Sequence, residues 1–120
     1  MIAKVNVAEE FTRIREIESP RIAGEVNDSY VKLVRLSGAF VWHHHENEDE
    51  MFLVVKGSLL MRLHDGDVRV NEGEFIIIPR GVEHCPVADA ECHVLLFEPK
   101  STLNTGNVRN ERTLENLRRI

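Results

Sequence analysis

Gly38-Ala-Phe-Val-Trp-His43-His44-His45-Glu-Asn-Glu-Asp-Glu50, running on through an apolar stretch to Gly57, is the segment on which the fold turns. In extended chain His43 and His45 stand two residues apart, so their imidazoles leave the same side and His44 leaves the other. Two unprotonated imidazoles on one side form a bidentate grip on a borderline metal ion. The neighbouring Glu46, Glu48 and Asp49 fit a solvated polar surface equally well, so the triple histidine alone leaves both readings open. The run is internal and enclosed by strand-like sequence, which sets it apart from an affinity-tag remnant.

Working outward, the flanking sequence predicts many short strands. Tyr30 to Leu36 is closed by Ser37-Gly38, and a second segment runs from Ala39 to His45. Glu50 to Val55 is apolar and ends at Lys56-Gly57. Leu59, Met61 and Leu63 then alternate with Leu60 and Arg62 as far as His64-Asp65-Gly66-Asp67. An Asp-Gly pair between alternating segments signals a hairpin whose central residues take positive φ. Val68 to Val70 returns the chain, Glu72-Gly73 turns it, and Phe75 to Ile78 stops at Pro79-Arg80-Gly81. The turn after Ile78 delivers a third imidazole, His84. His84 to Val87 and His93 to Phe97 supply the last pair, separated by Ala88-Asp89-Ala90-Glu91. Strands at this spacing with no helical pattern between them predict an all-β sandwich or barrel.

The flanks differ in character. Residues 1–29 read as an arm in which Asn6 and Glu9 resemble a capping box, with Phe11, Ile14 and Ile17 at helical spacing and Pro20 as the stop. Residues 99–120 read as a tail in which Thr113 caps a short helix carrying Leu114, Leu117 and Ile120. With 120 residues the expectation is one domain, its core barrel at about 30–98.

Fifteen basic against twenty acidic residues give a net charge of −5, which argues against the concentrated basic surface that nucleic acid requires. No stretch approaches the roughly 20 apolar residues of a membrane span, and the N-terminus lacks the pattern of a secretory signal. A cytoplasmic protein without a membrane partner is the expectation. Cys85 and Cys92 read as reduced thiols packed as small apolar groups, facing each other across a hairpin. A second reading, Cys85 beside the metal, needs a bulge to turn it to the side of His84. Phe40 and Trp42 fall on the face opposite His43, and an apolar outward face calls for cover, either by a second copy in a homodimer or by the arm.

The two histidine segments resemble the paired motifs of the cupin superfamily. The first motif is a glycine, a His-x-His pair, a glutamate after three or four residues, then six residues and a glycine; His43, His45, Glu50 and Gly57 match it. The second is a glycine, five residues, Pro-x-Gly, two residues and a histidine; Gly73, Pro79, Gly81 and His84 match every spacing. The phrases WHHHENEDEMFLVVKG and PRGVEHCPV look like small single-domain bacterial cupins of the cupin-2 type. Two departures stand out. Four residues separate Gly38 from His43 where five are usual, and the asparagine that often follows the second motif is Ala88.

The resemblance implies a double-stranded β-helix, or jelly-roll barrel, with His43, His45, Glu50 and His84 holding one divalent transition-metal ion. That nitrogen and oxygen donor set suits iron, manganese, nickel, zinc or copper. Four protein ligands leave two positions on an octahedral ion for water or a chelating small molecule. The implied function is isomerase, epimerase or dioxygenase chemistry on a small polar, anionic metabolite; the alternative is a non-catalytic module that binds a small molecule or the metal, with a vestigial site as a third reading. Arg35, Arg62 and Arg80 are candidates for recognising an anion, and Tyr30 and His93 for acid–base work, each against the plainer reading of a surface or core residue.

Overall fold

The computed structural model describes residues 2–120. One short helix, α1 (Val7–Phe11), precedes seven strands: β1 (Arg21–Val26), β2 (Ser29–Ala39), β3 (Glu50–Lys56), β4 (Ser58–Leu63), β5 (Val68–Asn71), β6 (Phe75–Ile78) and β7 (His84–Pro99). All strand pairs are antiparallel, in the order β1-β2-β7-β3-β6, with β4 joining β7 and β5 joining β4. The long strands β2 and β7 run through both halves of a jelly-roll barrel. The first residues of β7 pair with β4, and its last third pairs with β3.

The barrel closes on an apolar interior that includes Val34, Phe52, Val54, Leu59, Met61, Val94 and Leu96. On β3 and β7 the buried positions alternate with less buried ones, the period expected when one face of a strand meets a core. The chain passes from β3 to β4 in a single residue, Gly57, at φ 90°, where a Cβ would lie 3.0 Å from Cys92 Cβ. Only glycine fits that corner without moving β7.

Several sequence expectations change. Residues 88–91 do not form a hairpin turn: β7 is continuous, so Cys85 and Cys92 lie on one strand. Across from it, β2 passes from the pair Leu36–Cys92 to Gly38–Ala88, one residue opposing three. The surplus is accommodated as a bulge, which keeps β2 and β7 paired through the bend. The β4–β5 hairpin forms at Asp65-Gly66, but only Gly66 has positive φ, because the loop spans His64 to Asp67 and is longer than a two-residue turn. Ala39 to His45 is not a regular strand; β2 stops at Ala39 and the chain continues with a single bridge, His43 to His84.

The flanks also depart from expectation. Asn6 caps α1, its Oδ1 accepting from the Glu9 N–H at 3.0 Å. The helix is only five residues long; Phe11 and Ile14 pack with Leu33 on the outer face of the sheet, while Ile17 is exposed. The segment read as an arm also contributes β1, which pairs with β2. The tail carries no helix. Its N–H groups go elsewhere: Asn110 N–H donates to Thr113 Oγ1, Leu114 N–H to Asn104 Oδ1, and Ile120 N–H to the Ile22 carbonyl. Competing bonds of this kind draw the backbone away from helix.

Phe40 is not on an outward face. With β2 ended and Gly38 at φ 81°, its ring turns inward and sits edge-on to His43, centroids 5.6 Å apart. Trp42 is covered from within the chain, stacked on His64 at 4.5 Å with Arg62 beside it.

Candidate metal centre

Two pieces of backbone bring the histidines together. His43 and His84 exchange both backbone hydrogen bonds across their bridge, at 3.0 and 2.9 Å, so their side chains leave the same side. The turn after β6 is tied to the first segment by the Gly81 N–H, which donates to the His45 carbonyl at 2.8 Å. Glu50 opens β3, whose first residue pairs with Ile78 just ahead of that turn. One donor atom from each of His43, His45, Glu50 and His84 lies within 4.8 Å of all the others. All four side chains are buried.

The donors are set for a common point between them. His43 Nδ1 lies 2.8 Å from the Val41 carbonyl and His84 Nδ1 2.9 Å from the Val82 carbonyl, so each ring donates there and offers Nε2 inward. This is the usual way a ligating imidazole is held in one tautomer and orientation. His45 Nε2 lies 3.2 Å from Glu50 Oε1, yet both of its ring nitrogens are buried without a hydrogen-bond partner. Close approach with poor mutual alignment is what two ligands show when both point at a third body. A divalent ion with bonds of about 2.0–2.2 Å separates its donors by up to about 4.2 Å, close to the observed spread. Burial, with the charge on His84 second, lowers the His43 pKa to about 4. Its imidazole is therefore neutral at physiological pH, the form that binds metal. The donor set fits one divalent ion.

A second carboxyl, which sequence reading did not single out, stands beside Glu50. Glu98 is buried near the end of β7, and its Oε1 accepts from buried Lys32 Nζ at 2.9 Å. Burial, and then the charge of Glu50, push the Glu98 carboxyl well above the usual range. Burial works the same way on Glu50, but the Glu98 carboxyl and the His45 and His84 rings close around it prevail and hold it well below. The signal was present in the sequence: Glu98 shares the parity of Val94 and Leu96, and Lys32 that of Val34, which puts both inside.

His43, Glu50 and Glu98 line a cavity of about 40 Å³, walled by apolar side chains such as Val34, Phe52 and Leu96 and closed on the tail side by Asn104. The tail is anchored over the histidine segment. Asn107 accepts from His44 N–H through Oδ1 and donates its own N–H to the His44 carbonyl. Gly106 sits so close that a Cβ would collide with the His44 carbonyl oxygen.

The other candidates lie elsewhere. His44 is on the opposite side, its Nε2 at 3.0 Å from Glu46. Arg35 pairs with Glu91, Arg62 lies near Asp67, and Arg80 near Asp49; none lines the cavity. Tyr30 is flanked by Lys32, Lys100 and Arg119, and His93 stacks on Phe11. Cys85 lies outside the cluster, its thiol pKa raised by burial.

Comparison with known proteins gives the family of the chain. The chain is 39% identical over 61 residues to YdbB of Bacillus subtilis, covering 50% of this chain and 54% of that protein. It is 32% identical over 63 residues to a 3-hydroxyanthranilate 3,4-dioxygenase of Ruegeria pomeroyi, covering 48% of this chain and 35% of the enzyme. It thus spans about half the length, or less, of these curated relatives. Among solved structures, a cupin-2 domain containing protein from Shewanella frigidimarina superposes with a TM-score of 0.79 at 40% identity, covering 80% of this chain and 94% of that one. Residues 33–98, just over half of the chain, match the family model for the cupin domain, and the chain belongs to the cupin family.

Proposed function

We propose that this chain is a metal-dependent cupin enzyme in which His43, His45, His84 and Glu50 hold one divalent transition-metal ion beside a small polar substrate. The observation that carries the reading is His45: both nitrogens of a buried ring lack partners although a carboxylate stands 3.2 Å away. Leaving such a group bare costs about 1–3 kcal/mol, a cost that an ion removes at Nε2, the nitrogen that faces Glu50. When bound, the ion supplies Lewis acidity and, if redox-active, reactivity toward dioxygen. The chain does the rest: Val41 and Val82 carbonyls fix two ring tautomers, and the apolar wall excludes bulk water.

Among reaction classes, the likeness to 3-hydroxyanthranilate 3,4-dioxygenases favours oxidation by dioxygen over isomerisation or epimerisation. The small volume of the cavity favours a second reading, a non-catalytic module that binds metal or a small ligand. Elemental analysis of protein isolated without oxygen is the test. Close to one iron per chain is expected; zinc or nickel would favour isomerisation, and protein without metal that also fails to take it up overturns the proposal.

The proposal includes a homodimer. Phe75 and Ile77 are exposed on the edge strand β6, and in register beside them lie Leu53, Met51 and Phe97. An apolar row of this kind on an edge strand invites a second copy. Sedimentation at micromolar concentration should give twice the chain mass, falling to one chain in Ile77→Glu; a wild-type monomer rejects the dimer.

A further inference from the structure

Much of the tail's hydrogen bonding is internal. Asn104 Nδ2 donates to the Arg112 carbonyl, and Asn104 Oδ1 accepts from the Leu114 N–H, both at 2.8 Å. The Thr105 and Thr113 hydroxyls share a hydrogen bond at 2.7 Å, and Arg109 pairs with Glu115. Asn104, the tail residue that lines the metal cavity, is therefore positioned by the tail and not by the barrel.

Among the described residues, the hydrogen bonds that tie 103–117 to the barrel sit at two places. Asn107 makes two with the His44 backbone, at 2.9 and 3.0 Å. Arg112 donates to the Ala39 carbonyl at 3.0 Å, with its guanidinium over the Phe40 ring and its Nε 3.7 Å from Glu18 Oε2. Glu18 and Phe40 both line the cavity, so Arg112 sits across its rim. No apolar residue from 100 to 120 is fully buried; the buried ones are Thr102 and Thr105. A segment held by hydrogen bonds with little apolar burial opens at low free-energy cost.

From this we propose, resting on the metal-dependent reading above, that residues 103–117 are a lid over the metal centre, which lifts as one body when the Asn107 and Arg112 clasps let go. Closed, the cavity of about 40 Å³ holds about three waters, at about 10–15 Å³ each, and no metabolite. Two further hollows lie against the same segment. One of about 220 Å³ reaches His45 and is lined by Leu103, Gly106 and Asn107. The other, of about 380 Å³, shares Asn104 with the metal cavity. With the lid raised they join the cavity in a single site in the range of ordinary metabolite pockets, about 300–1,000 Å³. A ligand of metabolite size reaches the ion through the open state, and the closed state excludes water around it.

The rates of zinc exchange test the lid. Uptake, and release to an excess of chromophoric chelator, are followed by stopped flow in wild type, Asn107→Ala, Arg112→Met and the double variant. These substitutions remove side-chain bonds of the clasps and leave every proposed ligand in place; such bonds are worth about three- to tenfold each in an opening equilibrium. Uptake and release should both quicken, about threefold in each single variant and tenfold or more in the double, with zinc affinity within threefold of wild type. In metal-free wild type, the Asn107 N–H should exchange with solvent at least tenfold faster than the His43 and His84 N–H groups, whose mutual bonds the barrel keeps. Equal protection of the three, or double-variant rates within twofold of wild type, overturns the lid while the metal reading stands. Faster release with unchanged uptake also overturns it, since the two residues then only support the ligands. A wild type that takes up no zinc overturns the metal reading and the lid with it.

Discussion

Alanine at His43, His45 or His84 is expected to strip tight metal binding from the protein, whereas His44→Ala keeps the wild-type metal content. Each of the first three removes one of four proposed protein ligands from a buried cluster whose donor atoms all lie within 4.8 Å. Changing a residue that merely orients a ligand costs about 10–100-fold in affinity, so losing the ligand itself should cost at least about a hundredfold. Glu50→Ala should weaken binding and also delete the one proposed ligand that carries negative charge. His44 differs for a local reason. Its side chain faces Glu46, and what ties it to the tail is its backbone N–H and carbonyl, which alanine retains. A flexible surface cluster would behave differently: His43→Ala and His44→Ala would lose equal amounts of metal and His84→Ala none. Zinc competition with a chromophoric chelator, together with elemental analysis, separates the two patterns, and equal losses at 43 and 44 would reject the centre.

The same-side pair His43 and His45 was legible because it rests on covalent spacing, whereas Glu50 and His84 joined it only through the resemblance to the two cupin motifs. Two positions apart in extended chain project to one side whether or not a regular strand forms, and here it does not form beyond Ala39. The pairing of Asp65-Gly66 with a hairpin was legible for a similar reason, since turn chemistry is local. What escaped depends on distant partners. Arg21 to Val26 contains Ala23, Gly24 and Glu25, a weak strand pattern, and becomes β1 by pairing with β2. Ala88 to Glu91 has a turn-like composition, but the partner strand holds it extended with a bulge. Thr113 has the composition of a cap, yet its hydroxyl accepts from Asn110 and bonds Thr105, closing a loop instead of opening a helix. The inward turn of Phe40 could not be read either, because it follows from β2 ending at Ala39 where the sequence reads a strand on to His45.

Lys32→Ala should destabilise the fold by about 3–5 kcal/mol, the usual cost of leaving one member of a buried ion pair alone. Lys32 and Glu98 are each 2% exposed and sit 2.9 Å apart, so water cannot replace the lost ammonium. The carboxyl left behind also stands beside Glu50, which raises the penalty for charge. Lys32→Met/Glu98→Leu should recover most of the loss, since it removes both charges and keeps apolar volume. The difference between the double variant and the sum of the single ones measures their coupling. The pH dependence carries a definite sign. Glu98 already has a folded pKa above its unfolded one, so it binds more protons when folded, and stability falls as pH rises through that interval. Without Lys32 the folded pKa moves further up and the interval widens. The deficit of Lys32→Ala in metal-free protein should therefore be smaller near pH 5 than near pH 8, as read from urea midpoints at both. A deficit below about 1 kcal/mol at pH 8 would put this pair among those that contribute little, as exposed pairs do. A deficit that grew on acidification would mean that the group left uncompensated is not a carboxyl.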